Sequence, residues 1–193
     1  IKADKNTLFS TLYQKAMEGD KDCGGMIACN YYSGEPVTGL EEGRPMFLRR
    51  PDSHLGLANF MRSHLYASLA TLKIGLDILL KEEDVKIDSI TGHGGLFKTK
   101  GVGQSILAAA MNAPISVMET AGEGGAWGMA LLAAYMLSKK DGQSLGDYLD
   151  SRIFAERKSE TMEPDLADVA GFETYTKQYQ ACLAAEKAAV QAF

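Results

Sequence analysis

DSITGHGG, residues 88–95, followed by VGQSILAAAMN at 102–112, is the stretch that decides the fold. A short β-prone run enters a cluster of glycines, and the segment beyond it repeats apolar residues at helical spacing. The order reads strand, loop, helix. The unit then recurs, because PISVM at 114–118 is a second β-rich run, Gly122-Glu123-Gly124-Gly125 a second tight loop, and 126–137 is apolar nearly all round. Two such units in series predict adjacent parallel strands joined by the 102–112 helix in a right-handed crossover. The turn at 92–95 then falls at the carboxyl end of its strand, where open α/β sheets place ligands.

Glycine at that point has a physical use. The chain turns sharply, often with positive φ, and a ligand approaches backbone with no Cβ in the way. The helix that follows offers unpaired N–H groups and a positive dipole end suited to phosphate. Taken alone, a glycine cluster is better explained by plain turn chemistry. GHGG is not the dinucleotide fingerprint GxGxxG, and no GxxxxGK[ST] occurs in the chain.

The 193 residues fit one domain of ordinary size, with 46% hydrophobic and 23% charged residues and a formal charge of −5. Dispersed Lys and Arg on an acidic chain argue against a groove for nucleic acid and against an anionic membrane patch. Cys23, Cys29 and Cys182 have neither zinc-site spacing nor an even count, so a reducing cytoplasm is the simpler reading. Residues 126–137 are too short to span a bilayer. The first residue is Ile rather than Met, and the expectation is a piece of something larger.

Along the chain, 6–17 reads as an opening helix capped by Asn6, and 25–32 and 46–48 as a pair of strands. Residues 55–81 form the longest periodic segment, capped by Asp52 or Ser53, with Gly75 marking close packing against a neighbour. His64 on its apolar face reads as a core histidine satisfied by a backbone partner, and Trp127 as core. Beyond 137 the reading is a short helix at 145–154, a polar stretch at 155–164 and a last helix at 173–193. That helix carries Tyr175, Tyr179, Leu183 and Val190 on one stripe, interrupted by Glu186.

Four pieces together resemble a known family. YYSGEP at 31–36 looks like the YLSGER-type loop of the FGGY carbohydrate kinases, and MRSHLYAS at 61–68 is similar to their RAHLYRA helix signature. Residues 90–95 resemble the adenosine motif that ends in paired glycines, and GGAWGMALLAA at 124–134 the closing EGAALGAAILAA helix. The pieces stand in family order over about 25–135, and the xylulokinase and ribulokinase type is the most similar. Three departures stand out: Thr71 where a carboxylate or amide is usual, His93 where many members have glycine, and a loop at 96–101 one residue longer.

The resemblance implies an α/β fold, an actin-like, ribonuclease-H-like ATPase lobe with a mixed sheet flanked by helices. Residues 1–193 would form the C-terminal lobe of a two-lobe sugar kinase, with 138–193 a helical extension packed on it. ATP would lie against Gly92, His93, Gly94, Gly95, Leu96 and Thr99, with Mg²⁺ held mainly through the ATP phosphates. The sugar, a ketopentose such as xylulose, would bind through a first lobe that precedes Ile1 and supplies the catalytic Asp, so no catalytic residue is assigned here. The oligomeric state stays open, a homodimer among its options. Lys98 and Lys100 could reach a phosphate or simply be solvated, and Glu35 and Glu123 stand beside the tight loops without a case as metal ligands. The alternative function is a non-catalytic, actin-like nucleotide-sensing module.

Overall fold

The structure, a computed structural model, describes residues 4–87, 89–118, 124–155 and 159–192. Asp88, Gly122 and Glu123, named above, lie outside the described residues. Helix α1 (Lys5–Ala16) is capped by Asp4, whose carboxylate accepts from the Thr7 N–H at 2.9 Å. The expected cap, Asn6, instead lies inside the first turn.

Strand β1 (Met26–Cys29) is wholly buried and pairs antiparallel with β2 (Met46–Arg49), Met26 opposite Arg49. Between them Glu35 accepts from the Val37 N–H at 3.1 Å and caps a 3₁₀ turn, so its role is local. Helix α2 (Leu57–Asp77) follows and ends in a π-helical turn (Ile78–Glu82). Neither Asp52 nor Ser53 caps it. The Ser53 hydroxyl is taken up by the Gly25 carbonyl at 2.8 Å and the Arg50 N–H at 2.9 Å, which leaves Gly56 at the cap without a side-chain bond. Gly75 is not a point of close approach, since an added Cβ would stand 3.7 Å from Val37.

The deciding stretch folds as a βαβ unit. Strand β3 (Ile90–Gly92) and β4 (Ile115–Met118) are parallel neighbours, Ile90 opposite Ile115, joined through α3 (Val102–Met111). Helix α3 is buried at every position but Ser105, and Asn112 ends it in the left-handed region. Helix α4 (Gly124–Ser138) comes next, then α5 (Leu145–Tyr148), a π-helical turn (Leu149–Phe154) and β5 (Ser159–Met162), which pairs antiparallel with β4. The sheet order is β3-β4-β5, and β3 has no second neighbour among the described residues. Helix α4 buries none of its side chains fully; Met129 is 69% and Leu137 90% exposed. Trp127 is therefore not core but half-buried, its ring 6.1 Å from that of Phe154.

Helix α6 (Leu166–Ala192) starts seven residues before the expected position. Asp165 supplies the start by accepting from the N–H groups of Ala167 and Asp168 at 2.9 and 3.0 Å. Gly171 sits inside the helix, where the chain at Lys21 crosses it. A Cβ there would lie 2.2 Å from the Lys21 carbonyl oxygen. The tyrosine stripe packs inward as read: Tyr175 donates to the Ser63 carbonyl at 3.1 Å and Tyr179 to the Tyr31 hydroxyl at 2.6 Å. Glu186 does not break the stripe. It is fully buried and accepts from the Arg44 N–H at 2.5 Å, which docks the loop before β2 onto α6.

At the centre lies Arg62, with no exposed surface. Its Nη1 faces the carbonyls of Ala16, Met17 and Gly19 at 3.4–3.5 Å, where α1 ends. Its Nη2 donates to the Tyr66 hydroxyl at 2.8 Å and to the carboxylate of Asp168, which also meets Lys21 at 2.8 Å. Unpaired carbonyls at a helix end favour a cation, and the carboxylate balances the buried charge. His64 has ring partners rather than a backbone one: Phe47 stacks on it at 6.0 Å and Phe60 meets it edge-on at 4.6 Å. Burial lowers its pKa, so it stays neutral at pH 7. Cys23 and Cys29 are buried free thiols, that of Cys29 pushed up to about 12 by desolvation. Among the described residues no helix is long and apolar enough to cross a membrane.

Removing one partner of a buried ion pair costs about 3–5 kcal/mol, more than removing both. Asp168→Ala is therefore expected to lower the urea unfolding free energy by about that amount, and the double variant Arg62→Met with Asp168→Leu to lose less. Equal losses would contradict the pairing.

Candidate functional site

The site is built on the end of β3. Gly92 closes the strand and is buried, and a Cβ on it would lie 2.4 Å from the Phe97 ring, so a side chain there would have to displace that ring. Gly94 has φ 109° and ψ −175°, a region essentially reserved for glycine. Gly95 opens a 3₁₀ turn (Gly95–Lys98), with Phe97 N–H bonded to the Gly94 carbonyl at 3.1 Å. A Cβ on Gly94 or Gly95 would meet no atom within 4 Å. The constraint at Gly92 comes from packing, whereas the backbone at Gly94 and Gly95 faces open space.

Thr99 is buried at the end of the turn, its hydroxyl 3.4 Å from that of Ser10. Leu96 lies partly buried against the core, and its carbonyl oxygen would be 2.5 Å from a Cβ on Gly103, so the loop rests directly on α3. Helix α3 begins after Gly101, at φ 80°, with no side-chain cap. Its first N–H, that of Val102, donates to the Thr99 carbonyl at 3.3 Å, which ties the loop to the helix start. His93 is exposed and faces the start of α4, its Cβ and Nδ1 both 3.1 Å from where a Cβ on Gly124 would be. The first glycine loop and the start of α4 thus meet at His93.

Gly92 ends β3, and His93, Gly94, Gly95, Leu96 and Thr99 follow it on the connection to α3. Lys100 pairs with Glu160 of β5 at 3.3 Å, and Lys98 stands exposed on the loop. Two cavities flank Thr99. One of ≈ 450 Å³ runs over Lys98, Lys100, Gln104 and Met118 to Ser159. The other, ≈ 500 Å³, lies between the loop and α1, against Asn6, Phe9, Ser10 and Tyr13.

Sequence reasoning missed Gln104 and the α1 residues. Buried Gln104 donates to the carbonyls of Ile115 and Glu160, both at 2.7 Å, and so joins α3 to β4 and β5. Nothing local in the sequence marks Asn6 or Phe9, because their nearness to residue 99 is purely tertiary. Among the described residues no group of three His, Cys, Asp or Glu side chains could hold a metal ion.

A search among curated protein sequences gives no match of significance. Solved structures do match in fold. The ligand-bound xylulose kinase from Lactobacillus acidophilus aligns over 90% of this chain and 34% of its own, with a TM-score of 0.66 and 20% identity. The gluconate kinase from the same organism gives 0.67 at 20% identity over the same shares. Plasmodium falciparum glycerol kinase with ADP gives 0.63 at 18% identity, over 92% of this chain and 33% of its own. The chain thus spans about a third of the length of these relatives and shares the actin-like ATPase architecture of their fold. The profile of the FGGY family of carbohydrate kinases, C-terminal domain, matches residues 1–137 of the 193. With the βαβ unit and its glycine turn in place, that match shows that the chain belongs to the FGGY family of carbohydrate kinases, within the family's C-terminal domain.

Proposed function

We propose that this chain is the nucleotide-binding lobe of an ATP-dependent sugar kinase, which transfers the γ-phosphate of ATP to a sugar hydroxyl in the cytoplasm. The observation that carries the reading is the backbone at Gly94 and Gly95, open to solvent on the loop that leads to the uncapped start of α3. A solved relative described with ADP supports a nucleotide at this family's fold. Gly94 and Gly95 let the nucleotide approach the main chain, Thr99 and His93 flank it, and the α3 dipole favours its phosphates.

Phosphoryl transfer depends on positioning and on neutralising charge, with a base to accept the sugar proton. This chain's residues do the positioning; the base and sugar pocket belong to a first lobe. Mg²⁺ travels with the phosphates, and no ligand in this chain is assigned to it. A ketopentose such as xylulose is the proposed sugar, favoured by the resemblance of the chain to the xylulokinase and ribulokinase type. The solved relatives act on different substrates by their descriptions, namely xylulose, gluconate and glycerol.

In the full-length enzyme, Gly95→Val is expected to raise KM for ATP by about tenfold or more while leaving KM for sugar nearly unchanged. Gly95 is the better position than Gly94, whose positive φ adds strain to any substitution. Steady-state kinetics with both substrates varied checks it, and equal losses for sugar and ATP would contradict it. The 193-residue chain alone, given Mg-ATP with xylulose or ribulose, is expected to release no sugar-dependent ADP.

A further inference from the structure

Strand β5 lies outside residues 1–137, yet it is bonded to the helix that follows the glycine loop. The link is Gln104, in the first turn of α3 and only 5% exposed. Its carboxamide has two N–H donors, and both are taken. One bond runs to the Ile115 carbonyl of β4 and one to the Glu160 carbonyl of β5, each at 2.7 Å. A single side chain therefore clamps α3 to two antiparallel neighbours, whose register sets Val117 opposite Glu160.

What the clamp locates is the end of the loop. Thr99 is joined to the start of α3 by the bond from the Val102 N–H to its carbonyl at 3.3 Å. Cavities of ≈ 450 and ≈ 500 Å³ flank it, so close packing does not fix its place on either side. Two other ties reach the next residue. Gln14 of α1 donates to the Lys100 carbonyl at 3.2 Å, and the Lys100 ammonium meets the Glu160 carboxylate at 3.3 Å. Both are exposed to water, which weakens them, the ion pair above all. Gln104 is the tie that is shielded, where a hydrogen bond is electrostatically stronger and its loss leaves carbonyls unpaired.

We propose that Gln104 is a positioning residue for the nucleotide: by clamping the first turn of α3 to β4 and β5 it holds Thr99 and the glycine loop in the geometry that receives ATP. Strand β5 is thereby part of the site. The inference rests on the reading of the loop as the nucleotide site.

The test uses the full-length enzyme, with Gly95→Val as the reference for the loop. Gln104→Leu, close in size but without donors, is expected to raise KM for ATP about tenfold with sugar KM unchanged. Gln104→Glu sets a carboxylate against two carbonyl oxygens; once protonated, it donates to one of them. Burial raises the pKa of such a carboxyl, so its KM for ATP, relative to the unsubstituted enzyme at the same pH, is expected to fall as pH goes from about 8 to about 6. Lys98, Lys100 and Glu160, the charged groups beside it, are common to both proteins and cancel in that ratio. If Gln104→Leu leaves KM for ATP unaltered while Gly95→Val raises it, the clamp proposal fails and the loop assignment stands. If neither variant raises it, both fail. A lower kcat with both KM values unchanged, or equal rises in the two KM values, marks a purely structural role and overturns the proposal. Where Gln104→Leu does not fold, the Glu variant decides, and a ratio that does not fall with pH overturns the proposal.

Discussion

A guanidinium with no exposed surface governs the arrangement of the helices. Arg62 reaches from α2 to the carbonyls that end α1 and to Asp168 in the first turn of α6, so three elements far apart in sequence converge on one charge. An isolated charge in such a place is costly, and it persists because carbonyls, a phenol and a carboxylate surround it. Lys21 adds a second cation to the same carboxylate and brings the chain after α1 across Gly171. The pair thus fixes where α1 ends and how it runs, and α1 is the helix that faces the glycine loop.

From that frame the site follows by short steps. Helix α2 backs the core with Leu65, Tyr66 and Leu69, and α3 lies between α2 and α6 with almost every side chain buried. The βα connection is therefore held from behind, while its loop side stays open. Gly92 and Gly103 serve packing, against Phe97 and Leu96 respectively. Gly94 is held to glycine by its positive φ, whereas Gly95 has neither a packing nor a conformational reason to be glycine, and so it is the position where a ligand explanation carries weight. Other surfaces remain open, notably the apolar helix α4 and the outer edge of β3 among the described residues.

The βαβ unit was legible because its signals are local: a β-rich run, glycines and an apolar helical period within thirty residues. That a turn follows the strand at 92–99 was legible for the same reason; its reading as a nucleotide site comes from family likeness. What escaped depends on contacts across the chain. Strand β5 is mostly exposed along a polar stretch, and only its pairing with β4 makes it a strand. The first turns of α6 hold Gly171, a poor helix former whose reason is the close approach of the Lys21 carbonyl, a contact the local sequence does not show. Glu186 looked like an interruption because its partner, the Arg44 N–H, lies 142 positions away. Arg62 was visible only as a letter in a motif, and its burial is a tertiary fact.

The central claim is that the loop from Gly92 to Thr99 is where nucleotide meets this lobe. Amide hydrogen exchange on the full-length protein, with and without Mg-ATP, tests it most directly, because backbone N–H groups are the proposed contacts. The account predicts slower exchange in the loop and the first turn of α3 on adding Mg-ATP, with little change in the β1–β2 pair. Protection confined to other elements, with the loop and α3 unchanged at saturating nucleotide, would contradict it.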